Sequence, residues 1–199
     1  MRFIGSVIEK LQRHPKRIVF PEGTEPRVLQ AARQFHALRL GVPILLGDQA
    51  RITEAADAQN ISLEGIRTIN PAESEDLDNF ARRFELLRHY TGNRMKDFEA
   101  REAVMQPNYF GAMMLAMHQA DGFVAGARQI TASVLRPLFQ TIKPAPQTST
   151  VASCIVLEFE DSRLGENGVL FMGDCDVVEE PSVEQLADIA VSTAKLARH

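Results

Sequence analysis

Cysteine is scarce in this chain. Cys154 and Cys175 are the only two in 199 residues. Two thiols make neither a disulfide framework nor a metal quartet, and both sit in apolar segments, so buried reduced thiols are expected. Long apolar runs are missing as well. The opening MRFIGSVIEKLQRHPKR has no stretch suited to a signal peptide, and nothing later approaches the ~20 apolar residues of a membrane span. A cytoplasmic protein with no membrane partner is the expectation. Neither sign of charge dominates: 22 Lys and Arg face 26 Asp and Glu, a formal net charge of −4. No global field therefore draws nucleic acid, and an anionic ligand must be held by local groups. No G-x-G-x-x-G follows a strand-like run, which argues against a nicotinamide-binding Rossmann unit. His14, His36, His89, His118 and His199 show no metal-ligand spacing. Ser149, Ser153 and Ser182 lack a nucleophile-elbow context. Internal repeats and low-complexity segments are absent.

What the chain does have is alternation. After an opening helix with Phe3, Ile4, Val7, Ile8 and Leu11 at helical spacing, Arg17–Phe20 reads as a buried strand. Thr24 is placed to cap a helix with Pro26 in its first turn, an apolar stripe through Val28, Ala31, Ala32, Phe35 and Leu38, and Gly41 as its stop. Pro43–Leu46 is a second strand, Gln49–Ala58 a third helix and Ile66–Ile69 a third strand. Such strand–helix alternation with short connections predicts a parallel sheet covered by helices on both faces. Glu73–His118 reads as mainly helical, with Leu77, Phe80, Phe84 and Leu87 on one face. Phe123–Ala125 is the next strand.

Lys143–Ser149 combines prolines with small polar residues and reads as a hinge. It divides the chain into an α/β domain over residues 1–146 and a segment, 147–199, that looks like the opening of a second α/β domain. That segment holds two apolar runs, Val151–Phe159 and Val169–Met172, joined by a polar hairpin-like loop. A capping box at Ser182–Gln185 then opens a helix carrying Val183, Leu186, Ile189 and Ala190.

The stretch Asp121–Lys143, DGFVAGARQITASVLRPLFQTIK, contains no acid after Asp121 yet carries Arg128, Arg136 and Lys143. A strand that runs through a glycine turn into a helix aims backbone N–H groups and the positive end of the helix dipole at one spot. Guanidinium groups beside that spot suit phosphate oxygens, which they bind two at a time. The plainer reading is a packed strand and helix whose arginines face solvent. If Thr131 or Ser133 caps the helix, Pro137 falls early enough to bend it beside Arg136. Arg88, ahead of Thr91-Gly92, is either a second clamp or a solvated helix-end cation. The turn FPEGTEPR places Glu22 and Glu25 where a phosphate would sit, so acids that favour the helix N-terminus explain it better. Asp174 and Asp176 resemble half of a hard-metal site, but no neighbouring ligands complete it, and a strand-end acidic turn is favoured. No metal is expected.

These residues resemble the phosphate acetyltransferase and phosphate butyryltransferase family. The likeness begins at RIVFPEGTEPRVLQAA and PILLG, continues through FELLRHYTGNRMKDFEA and ADGFVAGARQITASVLRPLFQTIK, and persists to VLFMGDCDVVEEPSVEQLADIA. It covers nearly the whole chain, which corresponds to roughly the first three-fifths of a member. The resemblance implies reversible transfer of an acetyl or longer acyl group between coenzyme A, a substrate here and not a cofactor, and inorganic phosphate. It implies two α/β domains with a cleft between them, similar to the isocitrate and isopropylmalate dehydrogenases, and a homodimer built through the second domain at full length. Carried over by position, Arg136 matches an active-site arginine and Arg88 one associated with coenzyme A or phosphate. Gly126 and Thr131 fall in the phosphate-side turn, and Arg128 of the same acid-free stretch is a further candidate for binding substrate.

Departures from the family pattern are Ala125, where serine is common, and Ile130-Thr131-Ala132-Ser133, where Thr-Thr-Ala-Asp is common. The family's serine-and-arginine segment and its proposed aspartate base have no counterpart in these residues. A chain with anion clamps and no base is expected to be weak or inactive alone. The alternative is a non-catalytic acyl-CoA or metabolite sensor, resembling the C-terminal domain of NADP-type malic enzymes. Arg136-Pro137 favours the enzyme; Ala125 and Ile130 favour the sensor.

Overall fold

Residues of β1 (Lys16–Phe20) and β2 (Gly41–Leu46) point alternately into two apolar layers. Val19, Ile44 and Leu46 enter one layer with Phe80, Phe84 and Met113. Phe20 and Leu45 enter the other with Leu29, Ala32 and Ile52. Side chains on a strand alternate with period two, so a run such as PILL that is apolar throughout must be covered on both faces. The computed structural model describes residues 2–90, 92, 95–144 and 148–198. Two compact units divide it, Lys10–Lys143 and, together, Pro144–His199 with Met1–Glu9.

The first unit holds a four-stranded sheet in the order β3-β2-β1-β4, with β3 at Arg67–Ile69 and β4 at Gly122–Phe123. Every pairing is parallel. Pro43 lies within β2, yet β3 begins only opposite Ile44. At Pro43 the strand therefore has a neighbour on one side alone, where a missing N–H is tolerated. Helices α2 (Pro26–Ala37) and α3 (Gln49–Asp57) cover one face. Helices α4 (Leu77–Tyr90), α5 (Asp97–Val104) and α6 (Pro107–Ala116) cover the other. This is the expected three-layer α/β arrangement. α6 is apolar around most of its circumference because it lies against the sheet.

Local details differ from the sequence reading. α2 buries Val28, Leu29 and Ala32, while Ala31 and Leu38 are exposed. The helix starts at Pro26 behind Glu25, which makes no side-chain cap bond, so Thr24 is not the cap. Its stop is Arg39 at φ 57, not Gly41, which opens β2. α3 is capped by Asp48, whose carboxylate accepts from the Arg51 N–H. β4 is shorter than the expected Phe123–Ala125.

Chain order matters more than these boundaries. From β1 the chain steps outward to β2 and β3, then returns to add β4 on the opposite side of β1. The β1/β4 seam is therefore where strand order reverses, and in open parallel sheets the crevice beyond the strand C-termini at such a point is the usual ligand position. α7 (Thr131–Thr141) follows β4 and packs against α4 and α6.

The second unit pairs β5 (Cys154–Glu158) with β6 (Val169–Gly173) in an antiparallel hairpin, as the polar loop suggested. α8 (Val183–Ala197) packs on β6 and buries Ile189, with Val183 and Leu186 exposed. The expected capping box is present: Ser182 N–H donates to Gln185 Oε1 at 2.9 Å, and Gln185 N–H donates to Ser182 Oγ at 3.3 Å. The start of α1 (Arg2–Arg13) packs here too. Phe3 meets Phe171 edge to face at 6.2 Å, and the Phe3 and Ile4 N–H groups donate to the Glu158 carboxylate. Cys154 is half-buried and Cys175 exposed, both free, which corrects the expectation of two buried thiols. Cys175 lies at the surface, in the turn beyond β6. The proposed hinge includes residues 145–147, which lie outside the described residues.

Candidate functional site

At the C-terminal end of β1 the chain turns at Pro21 and brings the Glu22 side chain across the β1/β4 seam. The Glu22 carboxylate accepts three backbone hydrogen bonds: from Gly126 and Ala127 at 2.8 Å each, and from Arg128 at 2.7 Å. Successive N–H groups converging in this way form an anion nest, and Gly126 makes it possible by adopting φ +99. Gly23 fixes the other side. Its N–H donates to the Leu46 carbonyl at 3.2 Å, and a Cβ there would lie 2.7 Å from that oxygen. The glycine turn thus gathers N–H groups around an anion, as the sequence implied. The anion is the protein's own.

Glu25 completes the clasp. It is buried at 6% exposure. It pairs with Arg27 at 2.6 Å and with Arg128 at 3.2 Å, while Arg27 also donates to the Ala127 carbonyl at 2.5 Å. The hydrogen bond from Arg27, aided by the positive charge of Arg128, holds the Glu25 carboxyl below its ordinary value. Glu22 and Glu25 therefore belong to a bridge between two loops, which corrects the reading of both as acids that favour a helix N-terminus. The three amides that bind Glu22, and the Arg128 guanidinium that pairs with Glu25, sit about a hundred residues away in the loop beyond β4, while Arg27 joins Glu25 to that loop through the Ala127 carbonyl.

α7 begins at Thr131 behind Ile130, which has no side-chain cap bond, so neither Thr131 nor Ser133 is the cap. Pro137 lies inside the helix. It lacks the N–H that would bond the Ser133 carbonyl one turn earlier. Asn108 Nδ2 supplies the missing donor, reaching that carbonyl at 3.1 Å and also bonding Gln129 Oε1. Tyr109 Oη donates to Gln140 Oε1 at 3.1 Å. Helix α6 thus grips α7 near both ends, at Ser133 and at Gln140, while Glu22 grips the loop before it.

Of the residues singled out from sequence, Gly126 and Arg128 lie in the Glu22 nest, and the Arg128 guanidinium is engaged by Glu25. Thr131 is exposed at the start of α7. Arg136 is exposed in mid-helix and makes no ion pair or hydrogen bond with the described residues. Arg88 is half-buried in the last turn of α4, a helix packed against α7. Thr91, named beside it, lies outside the described residues. Sequence reasoning missed Asn108, Gln129 and the role of Glu22. A proline inside a helix was the available signal for Asn108, because it announces a carbonyl in need of a donor.

The acidic turn after β6 is structural. Asp174 accepts from the N–H groups of Ser153, Val177 and Val178 at 2.9–3.2 Å, and from Ser153 Oγ at 3.1 Å. These bonds, the Ser153 N–H first, hold its carboxyl below the usual value. Among the described residues no three His, Cys, Asp or Glu side chains are placed to hold a metal, and no helix is long and apolar enough to cross a membrane.

Comparison with known proteins gives this geometry a context. Residues 2–199 match the family described as phosphate acetyl/butaryl transferase. The chain is 40% identical over 198 residues to a phosphate acetyltransferase of Thermoanaerobacterium thermosaccharolyticum, covering 100% of this chain and 59% of that protein. Among solved structures, a phosphotransacetylase from Streptococcus pyogenes superposes with a TM-score of 0.88 at 30% identity, over 99% of this chain and 58% of its own. The EutD phosphotransacetylase from Staphylococcus aureus gives 0.83 at 33% identity, over 98% and 57%. The chain spans about three-fifths of the length of these relatives. It belongs to the phosphate acetyl/butyryl transferase family.

Proposed function

We propose that this chain takes part in the reversible transfer of an acetyl or other short acyl group between coenzyme A and inorganic phosphate. Family membership supports the reaction class. One structural observation carries the site: Arg136 is exposed on an acid-free helix and is committed to no carboxylate among the described residues.

In the direction of acyl-CoA formation, a thiolate sulfur attacks the acyl phosphate carbonyl. The C–O bond to phosphate then breaks, and phosphate leaves with the electron pair. Coenzyme A, with an ordinary thiol pKa near ~8.5, is only a few per cent thiolate at neutral pH. A positioned base therefore adds roughly 10²–10⁴-fold. Glu22 and Glu25 are not suited to that task, since both already serve as acceptors in the bridge. Arg136, with Arg88 on the neighbouring helix, is suited to bind phosphate oxygens and the charge that develops on them. One well-placed donor contributes on the order of 2.7–4 kcal/mol. We read the chain as better at binding acyl-CoA and phosphate than at turning them over, and as part of a cytoplasmic homodimer.

Mixing the protein with acetyl-CoA and phosphate and following free thiol tests this. Phosphate-dependent release that falls about 10²-fold in Arg136→Ala supports it; equal release with Arg136→Ala refutes the assigned role. A second reading, an acyl-CoA sensor, draws on Ile130, an apolar residue 73% exposed at the N-cap of α7 with no side-chain cap bond. Tight acetyl-CoA binding without any thiol release favours that reading.

A further inference from the structure

The crevice where strand order reverses is the usual ligand position in an open parallel sheet, and a nest of backbone N–H groups is a usual phosphate holder. Here the two coincide, and both are already taken. Both oxygens of Glu22 are in use: Oε2 accepts from Gly126 and Ala127, and Oε1 accepts from Arg128. Glu22 is 9% exposed. Its turn is pinned to β2 through Gly23, and the partner loop is pinned to β1 by the bond from Val124 N–H to the Val19 carbonyl at 2.9 Å. A carboxylate placed this way matches one edge of a phosphate in charge and in the number of N–H groups it receives.

We propose that Glu22 is the resident anion of this crevice. It acts as a positioning residue that withholds the Gly126–Arg128 amides from substrate phosphate and holds the loop that delivers α7. That the phosphate is a substrate rests on the acyl-transfer reading; the occupancy of the nest by Glu22 does not depend on it. The consequence is specific. A phosphate bound by this protein meets α7 and its Arg136, not the glycine turn that sequence points to. Two further contacts fit a loop held from beneath: Glu25 fixes the Arg128 guanidinium, and Asn108 fixes Gln129. The loop is therefore set before any ligand arrives.

Amide NMR of the isotopically labelled chain tests this with inorganic phosphate and formate as probes. In the wild-type protein, phosphate is expected to leave the Gly126, Ala127 and Arg128 amide resonances in place. In Glu22→Ala those three resonances should move upfield, and formate, a one-carbon carboxylate that fits the vacated space, should return them toward their wild-type positions. Glu22→Gln keeps the shape and serves if Glu22→Ala does not fold. Its three amides should exchange with solvent at least tenfold faster than in wild type. Saturable phosphate-induced shifts at these amides in wild type would overturn the proposal. So would resonances in Glu22→Ala that ignore formate, or unchanged exchange in Glu22→Gln. If phosphate moves no resonance anywhere in the wild-type protein, the acyl-transfer reading fails, while the formate and exchange results still decide the role of Glu22.

Discussion

Asn108 Nδ2 donates at 3.1 Å to the carbonyl of Ser133, the one carbonyl in α7 that Pro137 leaves without a helical partner. Proline inside a helix removes a backbone bond, and a buried carbonyl without a donor is destabilising. The side chain on α6 repairs the defect that the proline on α7 creates, and so ties the two helices together. Replacing Asn108 by Ala is expected to cost about 1–3 kcal/mol in urea unfolding followed by circular dichroism. In a Pro137→Ala background the helix regains its own donor, and the cost should fall by at least half. Strict additivity of the two substitutions would contradict the compensation.

The two glycines of the clasp are expected to fail for different reasons. Gly126 has open space around it but sits at φ +99, so Gly126→Ala is strained by its backbone alone, by about 1–3 kcal/mol. Gly23→Ala instead drives a Cβ to 2.7 Å from the Leu46 carbonyl, which must separate the β1 turn from β2. Urea midpoints should fall in both. Only Gly23→Ala should also disturb amide resonances at the end of β2.

Acid should loosen this unit through named groups. Glu25 is held below its ordinary value of 4.5 by Arg27 first and by Arg128. Asp121 is lowered by its hydrogen bonds from Arg17, at 2.8–3.0 Å. A carboxyl depressed in the folded state stabilises above its unfolded pKa, and that contribution disappears as pH falls through the folded value. Stability of the wild-type protein should therefore decline as pH drops below about 4.5. Glu25→Gln and Asp121→Asn should each be less stable at neutral pH and show a shallower acid limb. An acid limb identical to wild type in both variants would remove these pairs from the account.

The Asp174 turn separates a structural acid from a metal ligand. Asp174→Ala leaves the N–H groups of Ser153, Val177 and Val178 without their acceptor, and we expect the melting midpoint to drop by several degrees. Magnesium or calcium should not raise the midpoint of the wild-type protein. A millimolar cation that raised it in wild type, but not in Asp174→Ala, would restore the metal reading.

Much of the architecture was legible because buried parallel strands leave short, fully apolar runs. RIVF and PILL announce a sheet covered on both faces, and Ser182 with Gln185 announces a helix start. What stayed hidden depends on pairings distant in sequence. Glu22 lies 104 positions from Gly126, and nothing local says that its carboxylate crosses to another loop. From composition alone, two acids in a turn look like helix-end electrostatics. The stripe of α2 was misplaced for a smaller reason: the helix starts at Pro26, and its buried face runs through Leu29 in place of Ala31. The apolar neighbours of Cys175 suggest burial, although a turn beyond a strand exposes what it carries. Gly126 signals a turn that gathers N–H groups, but nothing near it in sequence signals that Glu22 fills that turn.

Phosphate affinity compared between wild type and Arg136→Ala, by calorimetry at low ionic strength, tests the account most directly. It should weaken at least tenfold in the variant, with unfolding midpoints alike, because α7 and not the glycine turn meets the anion. Equal affinity in the two proteins would mean that phosphate binds elsewhere or only through diffuse charge, and the assignment of this helix would fall.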